Sequence, residues 1–247
     1  MRREGNEDAY SVRADLGLYV VADGMGGHAA GEVASRLAVE TIESVIRDTR
    51  TADMNSTWPM PFDTSLTVNG NRLRTAFQMA NRRLTSAMDE DERLRGMATT
   101  VAAVLVGGDR GTVAHIGDSR VYRQRAGALS VLTDDHSWVN EQVRAGRLSD
   151  SDARRHPWRN VVTRAITGGD DPVPDIQEIE LQAGDRLVIC SDGLSSVVAH
   201  EQLQSLIGSG GAPEALSSAL IDAANDAGGP DNITVVIIDI VGAESAA

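Results

Sequence analysis

The alternation of apolar and polar residues predicts two strands near the start of the chain. They cover residues 9–14 and 18–22, and a turn at 15–17 joins them. A glycine-rich turn follows the second strand. From Gly31 to about Asp48, apolar residues recur every three to four positions, which predicts an amphipathic helix. The same spacing predicts a second long helix over residues 71–92.

The later pattern predicts mostly strands and short helices. Strands are predicted at 99–106, 112–116, 120–124, 129–132, 175–181, 186–190 and 233–240, and helices at 137–145, 149–155 and 213–226. Strands therefore cluster, and two long helices follow the first hairpin in succession. This order is not a regular βαβ alternation and favours antiparallel sheets with helices packed outside, an α+β layered fold. With no repeat or linker in the pattern, we predict one domain over residues 1–247.

Composition narrows the class of protein. A formal net charge of -13 argues against nucleic acid as a partner, because binding to a phosphate backbone requires a basic face. Cys190 is the single cysteine, so no internal disulfide is possible and a reducing compartment is favoured. No stretch approaches the roughly 18 apolar residues of a membrane span. We expect a cytoplasmic protein without membrane contact.

Five aspartates stand just before or just after predicted strands. They are Asp8, Asp23, Asp118, Asp192 and Asp231. Taken singly, each is explained equally well by a turn or a helix cap. Acids at strand ends converge in space, and carboxylates held together without basic partners repel unless cations lie between them. Together they predict a multinuclear Mg²⁺ or Mn²⁺ site, and therefore phosphate ester chemistry.

The glycine-rich turn also allows another interpretation. Gly24-x-Gly26-x-x-Ala29 fits a loose dinucleotide-binding fingerprint, which would indicate a nucleotide-dependent oxidoreductase. However, Asp23 precedes the glycines, and no second predicted strand ends in an acid about 20 residues later. From this segment alone, a metal ligand, a dinucleotide loop and a plain tight turn all stay open.

Seven short motifs decide between these interpretations. They are Arg3-x-x-Asn6-Glu7-Asp8, Val21-Ala22-Asp23-Gly24-Met25-Gly26-Gly27-His28, Gly96-Met97-Ala98-Thr99-Thr100, His115-Ile116-Gly117-Asp118-Ser119-Arg120, Leu132-Thr133-Asp134-Asp135-His136-Ser137, Cys190-Ser191-Asp192-Gly193 and Gly229-Pro230-Asp231-Asn232-Ile233-Thr234. In this order they resemble the successive motifs of the metal-dependent protein phosphatases, the PPM or type 2C family, in its short bacterial form. The resemblance runs from residue 3 to about residue 240.

The resemblance implies a four-layer αββα sandwich. Two antiparallel sheets would face each other, a pair of helices would cover each, and the metal site would lie at one edge between the sheets. Residues 135–160 match the family's flap, a segment beside the active site. Its five arginines either attract phosphopeptides or form an ordinary solvated face.

The resemblance also implies the roles of individual residues. Carboxylates around two core Mg²⁺ or Mn²⁺ ions would come from Asp8, Asp23, Asp192 and Asp231. Gly24 would contribute its carbonyl, Glu7 would bind through water, and Asp118 would share a third, weaker ion with Asp192. Arg3 would bind the substrate phosphate. We choose His28 as the candidate general acid because it is close to Asp23 and titrates near neutral pH; alternatively it only caps the following helix.

The implied activity is a protein serine/threonine phosphatase of a bacterium, acting on phosphoproteins and opposing a Ser/Thr kinase. A water bridging two divalent ions would attack phosphorus in line, without a covalent phosphoenzyme. A non-catalytic phosphoprotein-binding domain is the alternative, and the complete set of acids argues against it. We expect a monomer. The chain starts two residues before Arg3, where family members have another strand, so either the start is truncated or one sheet has lost an edge strand. In both cases we expect a frayed terminus at Arg3 and weaker phosphate binding than in a full-length relative.

Overall fold

The computed structural model describes residues 5–27 and 29–242. Its strands are β1 (Asp8–Arg13), β2 (Leu18–Met25), β3 (Ala98–Thr99), β4 (Val101–Gly107), β5 (Arg110–Ile116), β6 (Arg120–Arg125), β7 (Ala128–Val131), β8 (Asp175–Glu180), β9 (Arg186–Cys190) and β10 (Val235–Asp239). Its helices are α1 (Ala30–Asp48), α2 (Val68–Glu90), α3 (Trp138–Arg144), α4 (Asp150–Ala153), α5 (Asp192–Ser195), α6 (His200–Gly208) and α7 (Pro213–Asp226).

The strands form two antiparallel sheets. The first has the order β1-β2-β4-β5-β8, with β3 paired to the end of β2, and the second has the order β10-β9-β6-β7. Apolar residues of both inner faces make one core, in which Val21 and Val104 of the first sheet join Val121 and Ile189 of the second. The sheets therefore face each other, as the resemblance implies.

Helices cover both outer faces. Because side chains alternate along a strand, Val20 points away from the inner core of Val21 and packs with Ala38 and Ile42 of α1 and Phe77 of α2. On the second sheet, α6 and α7 cover the outer face and bury the residues Val188, Cys190, Leu203, Leu216 and Leu220 in one cluster. Three apolar layers thus separate four structural layers, and the predicted αββα sandwich is confirmed.

Several elements differ from the sequence prediction, among them the four-residue helix α5, which the apolar pattern does not predict. The strand predicted over 99–106 is interrupted at Thr100, whose backbone N–H donates to the carbonyl of Asp23 at 2.9 Å and whose hydroxyl contacts Ser119. The nine-residue helix α6 was not predicted, because it buries only Leu203 and Ile207 and gives a short periodic signal. Within residues 5–27 and 29–242, none of the helices has the length and apolar character that crossing a membrane requires.

Candidate metal centre

Strand pairing brings four of the acids to one edge between the sheets. Asp8 begins β1 and lies directly opposite Asp23 of β2 in the antiparallel register. Asp192 follows β9, and the preceding Ser191 hydroxyl donates to Asp8 Oδ2 at 2.9 Å, which links the two sheets. Asp231 lies just before β10, whose first residue pairs with the last residue of β9. The sheets therefore meet where these carboxylates lie.

The charges of these acids act on one another. Burial raises the pKa of Asp23 well above its usual value, and the carboxylates of Asp8, Asp192, Asp118 and Asp231 raise it further. The pKa of Asp8 is also raised, mainly by burial, although hydrogen bonds from Thr234 and Ser191 oppose the shift. Asp118 thus belongs to the same electrostatic cluster, although it lies in the turn between β5 and β6.

Asp118 is the acid for which burial has the clearest consequence. Its side chain is buried, and burial together with the charge of Asp192 raises its pKa to about 7. Arg120 lowers this pKa only in part. A group of buried carboxylates with so little compensating charge favours either protons or bound cations.

The available oxygen atoms fit a hard divalent cation. Asp8 Oδ1 is buried and makes no hydrogen bond within the described part of the chain, so one carboxylate oxygen is left for another ligand. The donor set consists of carboxylates and backbone carbonyls, the ligands that Mg²⁺ and Mn²⁺ prefer over thiolate and imidazole. Cys190 lies nearby in sequence but is fully buried in β9, and burial raises its pKa to about 12.

A close backbone contact positions Gly24 and Glu7. The Gly24 N–H donates to the carbonyl of Glu7 at 3.0 Å. A Cβ atom on Gly24 would lie 2.0 Å from the carbonyl oxygen of Gly31, and one on Gly31 would lie 2.3 Å from Glu7 Oε1. Only glycines allow this approach of β2, α1 and the Glu7 carboxylate. The sequence alone does not indicate a role for Gly31, because it stands there simply as the first residue of a predicted helix.

The side chain of Asn232 connects two segments next to the candidate metal centre. Its Oδ1 accepts from the Glu7 N–H at 3.0 Å, and its Nδ2 donates to the carbonyl of Gly5 at 3.0 Å. The backbone N–H of Asn232 donates to Asp231 Oδ1 at 2.8 Å. Asn232 therefore ties the segment before β1 to the segment before β10.

Comparison with known proteins identifies the family. The model of the family "Protein phosphatase 2C" matches residues 2–218. The chain belongs to the protein phosphatase 2C family. It is 38% identical over 241 residues to the serine/threonine protein phosphatase PstP of Mycobacterium tuberculosis, covering 97% of this chain but 43% of PstP. The chain thus spans less than half the length of that relative. It is 34% identical to the protein phosphatase PhpP of Streptococcus pneumoniae, covering 97% of this chain and 93% of PhpP.

Solved structures of the protein phosphatase 2C family agree in fold. The crystal structure of M. tuberculosis PstP superimposes with a TM-score of 0.85 at 36% identity, covering 98% of this chain and 95% of that chain. The catalytic domain of PstP in complex with two manganese ions superimposes with a TM-score of 0.83 at 35% identity, covering 98% and 94%. The recognition of the family from sequence motifs is confirmed.

Two predicted site residues of this family member cannot be placed. Arg3 and His28, predicted to bind phosphate and to act as the general acid, lie outside the described residues. Their roles stay predictions. The ligand roles of Glu7, Asp8, Asp23, Gly24, Asp118, Asp192 and Asp231 also stay predictions, supported by their convergence at one edge of the phosphatase 2C sandwich.

A second polar cluster lies at the base of the flap. Ligand atoms of His115, His136 and Asp175 lie within 4.8 Å of one another, a spacing that could hold a metal ion. However, Arg164 contacts His136 Nε2 at 2.8 Å and Asp175 Oδ1 at 2.9 Å. A guanidinium group therefore takes the position that a cation would need. We interpret the cluster as an anchor of the flap.

Proposed function

We propose that this chain is a Mn²⁺- or Mg²⁺-dependent protein serine/threonine phosphatase. The observation that carries the proposal is the convergence of five acids, from both sheets, at one edge, where Asp118 is buried and the other four are half-buried. Membership of the protein phosphatase 2C family supports the same activity. We extend the proposal to the domain organisation, with residues 1–247 forming one catalytic domain.

The proposed roles follow the positions of the residues. Asp8, Asp23, Asp192 and Asp231, with the Gly24 carbonyl and Glu7 acting through water, would hold two ions. Asp118 and Asp192 would hold a third. Bound divalent ions would supply a water of lowered pKa and neutralise charge on the phosphoryl oxygens. Ser191 and Asn232 hold Asp8 and the Glu7 backbone in place, while Arg3 would bind the phosphate and His28 would protonate the leaving alkoxide.

The proposed substrates are phosphoserine and phosphothreonine in proteins, including a Ser/Thr kinase that this phosphatase would oppose. The relatives named as serine/threonine phosphatases support this substrate class. We further propose that the protein acts as a monomer in the cytoplasm.

The test is metal-dependent hydrolysis of p-nitrophenyl phosphate and of a phosphothreonine peptide. We expect activity with Mn²⁺, loss of activity with EDTA, and at least about a hundredfold lower kcat for Asp23→Asn and Asp192→Asn. Asp222→Asn, an exposed acid on α7, is the matched control and should keep full activity. Peptide binding without hydrolysis would favour the non-catalytic binding domain, and undiminished activity of a folded Asp192→Asn variant would contradict the proposed metal site.

A further inference from the structure

One part of the flap is basic in an otherwise acidic protein. Residues 144–159 contain five arginines against two acids, whereas the whole chain has a formal net charge of -13. Arg144 pairs with Asp134, and Arg147 donates to the side chain of Gln142. The basic segment is thus only partly neutralised by its own neighbours.

Three arginines of this segment have no partner among the described residues. The side chains of Arg154, Arg155 and Arg159 make neither an ion pair nor a hydrogen bond with residues 5–27 and 29–242, and all three residues are exposed. Exposed arginines without partners are common, so exposure alone does not indicate a site. What distinguishes two of them is where they lie.

Arg154 and Arg159 line a cleft that reaches the candidate metal centre. The cleft has a volume of about 330 Å³, lies between the flap and the start of α5 and α6, and also contacts Asp118 and Asp192. Its lining includes the apolar residues Val139, Val143 and Leu203, the hydroxyl residues Ser195 and Ser196, and two further acids, Asp135 and Asp150. Asp135 is paired with Arg120. Arg155 does not line the cleft. A ligand in this cleft would therefore lie beside Arg154 and Arg159 and close to Asp118 and Asp192.

The backbone between the two arginines is well supported. Trp138 stacks on His156 with ring centroids 4.8 Å apart, and Trp158 packs edge-on against Trp138 at 4.8 Å. The backbone N–H of Trp158 donates to His156 Nδ1 at 3.1 Å. This aromatic cluster fixes the chain between Arg154 and Arg159, so the two side chains lose little backbone freedom on binding.

We propose that Arg154 and Arg159 bind a second anionic group of the substrate, either a carboxylate or another phosphate close in sequence to the phosphorylated residue. The proposal rests on the proposed phosphatase function. A guanidinium group binds carboxylates and phosphates through paired hydrogen bonds, and the apolar residues of the lining would contact the aliphatic part of the substrate side chain. An acidic protein would otherwise repel such a substrate segment. The arginines thus make the enzyme select phosphosites with neighbouring negative charge.

The test compares three peptides that share one phosphothreonine and differ in the residues around it. One has neutral flanks, one has flanking glutamates, and one has a second phosphothreonine nearby. For the wild-type protein with Mn²⁺ we expect kcat/KM about tenfold higher for at least one anionic peptide than for the neutral one, mainly through KM. A gain for both anionic peptides indicates a general anion site, and a gain for the diphosphorylated peptide alone indicates phosphate.

A matched pair of double variants tests the cleft itself. R154Q/R159Q should reduce the preference to about twofold or less. R147Q/R155Q removes the same charge from the same segment, but neither residue lines the cleft, so this variant should keep most of the preference. Equal kcat/KM for all peptides in the wild type, or an equal loss of preference in both variants, would overturn the proposal.

Binding measurements separate this proposal from the phosphatase activity. Non-hydrolysable phosphonate versions of the peptides give Kd values by fluorescence anisotropy without any turnover. We expect tighter binding of the anionic peptides to the wild type and to R147Q/R155Q than to R154Q/R159Q. Failure to hydrolyse any substrate would refute the proposed function, whereas equal Kd values for neutral and anionic peptides would refute the role of the arginines.

Discussion

Gly31 controls the position of the Glu7 carboxylate, although it carries no functional group. A Cβ atom there would lie 2.3 Å from Glu7 Oε1, and this oxygen is the far end of a flexible side chain that can move away. We expect Gly31→Ala to displace Glu7 and to raise the Mn²⁺ concentration needed for half-maximal activity about threefold to tenfold. Stability should also fall, by roughly 1–3 kcal/mol, because the same Cβ atom would lie 3.0 Å from the backbone carbonyl carbon of Gly24, which outweighs the better helix propensity of alanine. Activity titrated with Mn²⁺ and thermal unfolding with EDTA measure the two effects.

Gly208→Ala is the matched control for this prediction. Gly208 ends α6, and a Cβ atom there would meet nothing within 4 Å. The variant should leave the Mn²⁺ requirement unchanged. A normal Mn²⁺ requirement in Gly31→Ala would show that the Glu7 carboxylate has no part in metal binding.

At this scale, the chemistry of the site was predictable and its packing was not. Acids beside strand ends identify a cation site, and this needs only residue type and local pattern. The contact between Asn232 and Glu7 joins residues 225 positions apart. The Gly31 contact likewise depends on how α1 crosses the end of β2. Such contacts exist only once the sheets have formed, so the local sequence pattern does not predict them.

At the scale of elements, His136 joins the turn of Asp118 to both ends of the flap. The backbone N–H of His136 donates to the carbonyl of Gly117 at 2.9 Å, and its ring Nδ1 accepts from the Gly117 N–H at 3.1 Å. Its carbonyl accepts from the backbone N–H of Thr163 at 2.8 Å. We expect His136→Leu to lose about 1–2 kcal/mol of stability and to weaken Mn²⁺ activation, because the buried Gly117 N–H loses its acceptor. Urea unfolding and Mn²⁺ titration would measure both.

His136→Asn is the informative companion to this variant. Its side-chain oxygen can accept the Gly117 hydrogen bond, so it should recover part of the stability and of the Mn²⁺ response. If it behaves no better than His136→Leu, the hydrogen bond to Gly117 is not what positions the turn.

Two ion pairs at opposite ends of β6 provide a further comparison. Arg120 donates to both carboxylate oxygens of Asp135 in the flap, at 2.8 and 2.6 Å. At the other end of β6, away from the candidate metal centre, Arg125 donates to both carboxylate oxygens of Asp185 at 2.6 Å. Arg120→Gln and Arg125→Gln should each destabilise the fold, since one removes the guanidinium partner of the partly buried Asp135 and the other that of the buried Asp185. Only Arg120→Gln should alter Mn²⁺ activation. If both variants change Mn²⁺ activation equally, then Mn²⁺ activation depends on global stability and not on the Arg120–Asp135 pair.

Among the elements, too, those with a strong local pattern were predictable and those that depend on tertiary contacts were not. Long periodic segments such as α1 and α2 were predicted nearly to their ends, whereas the short helix α6 was missed. The flap followed from the family resemblance. Its attachment through Gly117, His136 and Thr163 could not be predicted, because these residues meet only after β5 and β6 have paired with their sheets.

At the scale of the whole molecule, the candidate metal centre is a junction between two sheets. Asp8 and Asp23 come from the first sheet, and Asp192 and Asp231 flank strands of the second. Repulsion among these carboxylates opposes the meeting of the sheets at this edge, and ions bound there would offset it. Metal binding should therefore stabilise the whole fold and not only its active site.

The metal-free protein should accordingly lose stability as the pH rises. The pKa of Asp118 is about 7 in the fold against an ordinary value of 3.8, so between these pH values the folded state retains a proton that the unfolded chain has lost. The free energy of unfolding must then fall as pH increases through this window. Between pH 5 and pH 8 the loss attributable to Asp118 is on the order of 3 kcal/mol, and Asp118→Asn should recover most of it.

Urea unfolding with EDTA between pH 5 and pH 8 measures this dependence. Asp222→Asn, with its exposed side chain, serves as the control and should follow the wild type. Added Mn²⁺ should reverse the trend, since cations replace protons on the carboxylates and bind more tightly as these deprotonate. The stabilisation by Mn²⁺ should therefore be larger at pH 8 than at pH 6. If metal-free wild type and Asp118→Asn instead show the same pH dependence, Asp118 must already be ionised in the fold, and the site must then hold its charge without needing cations.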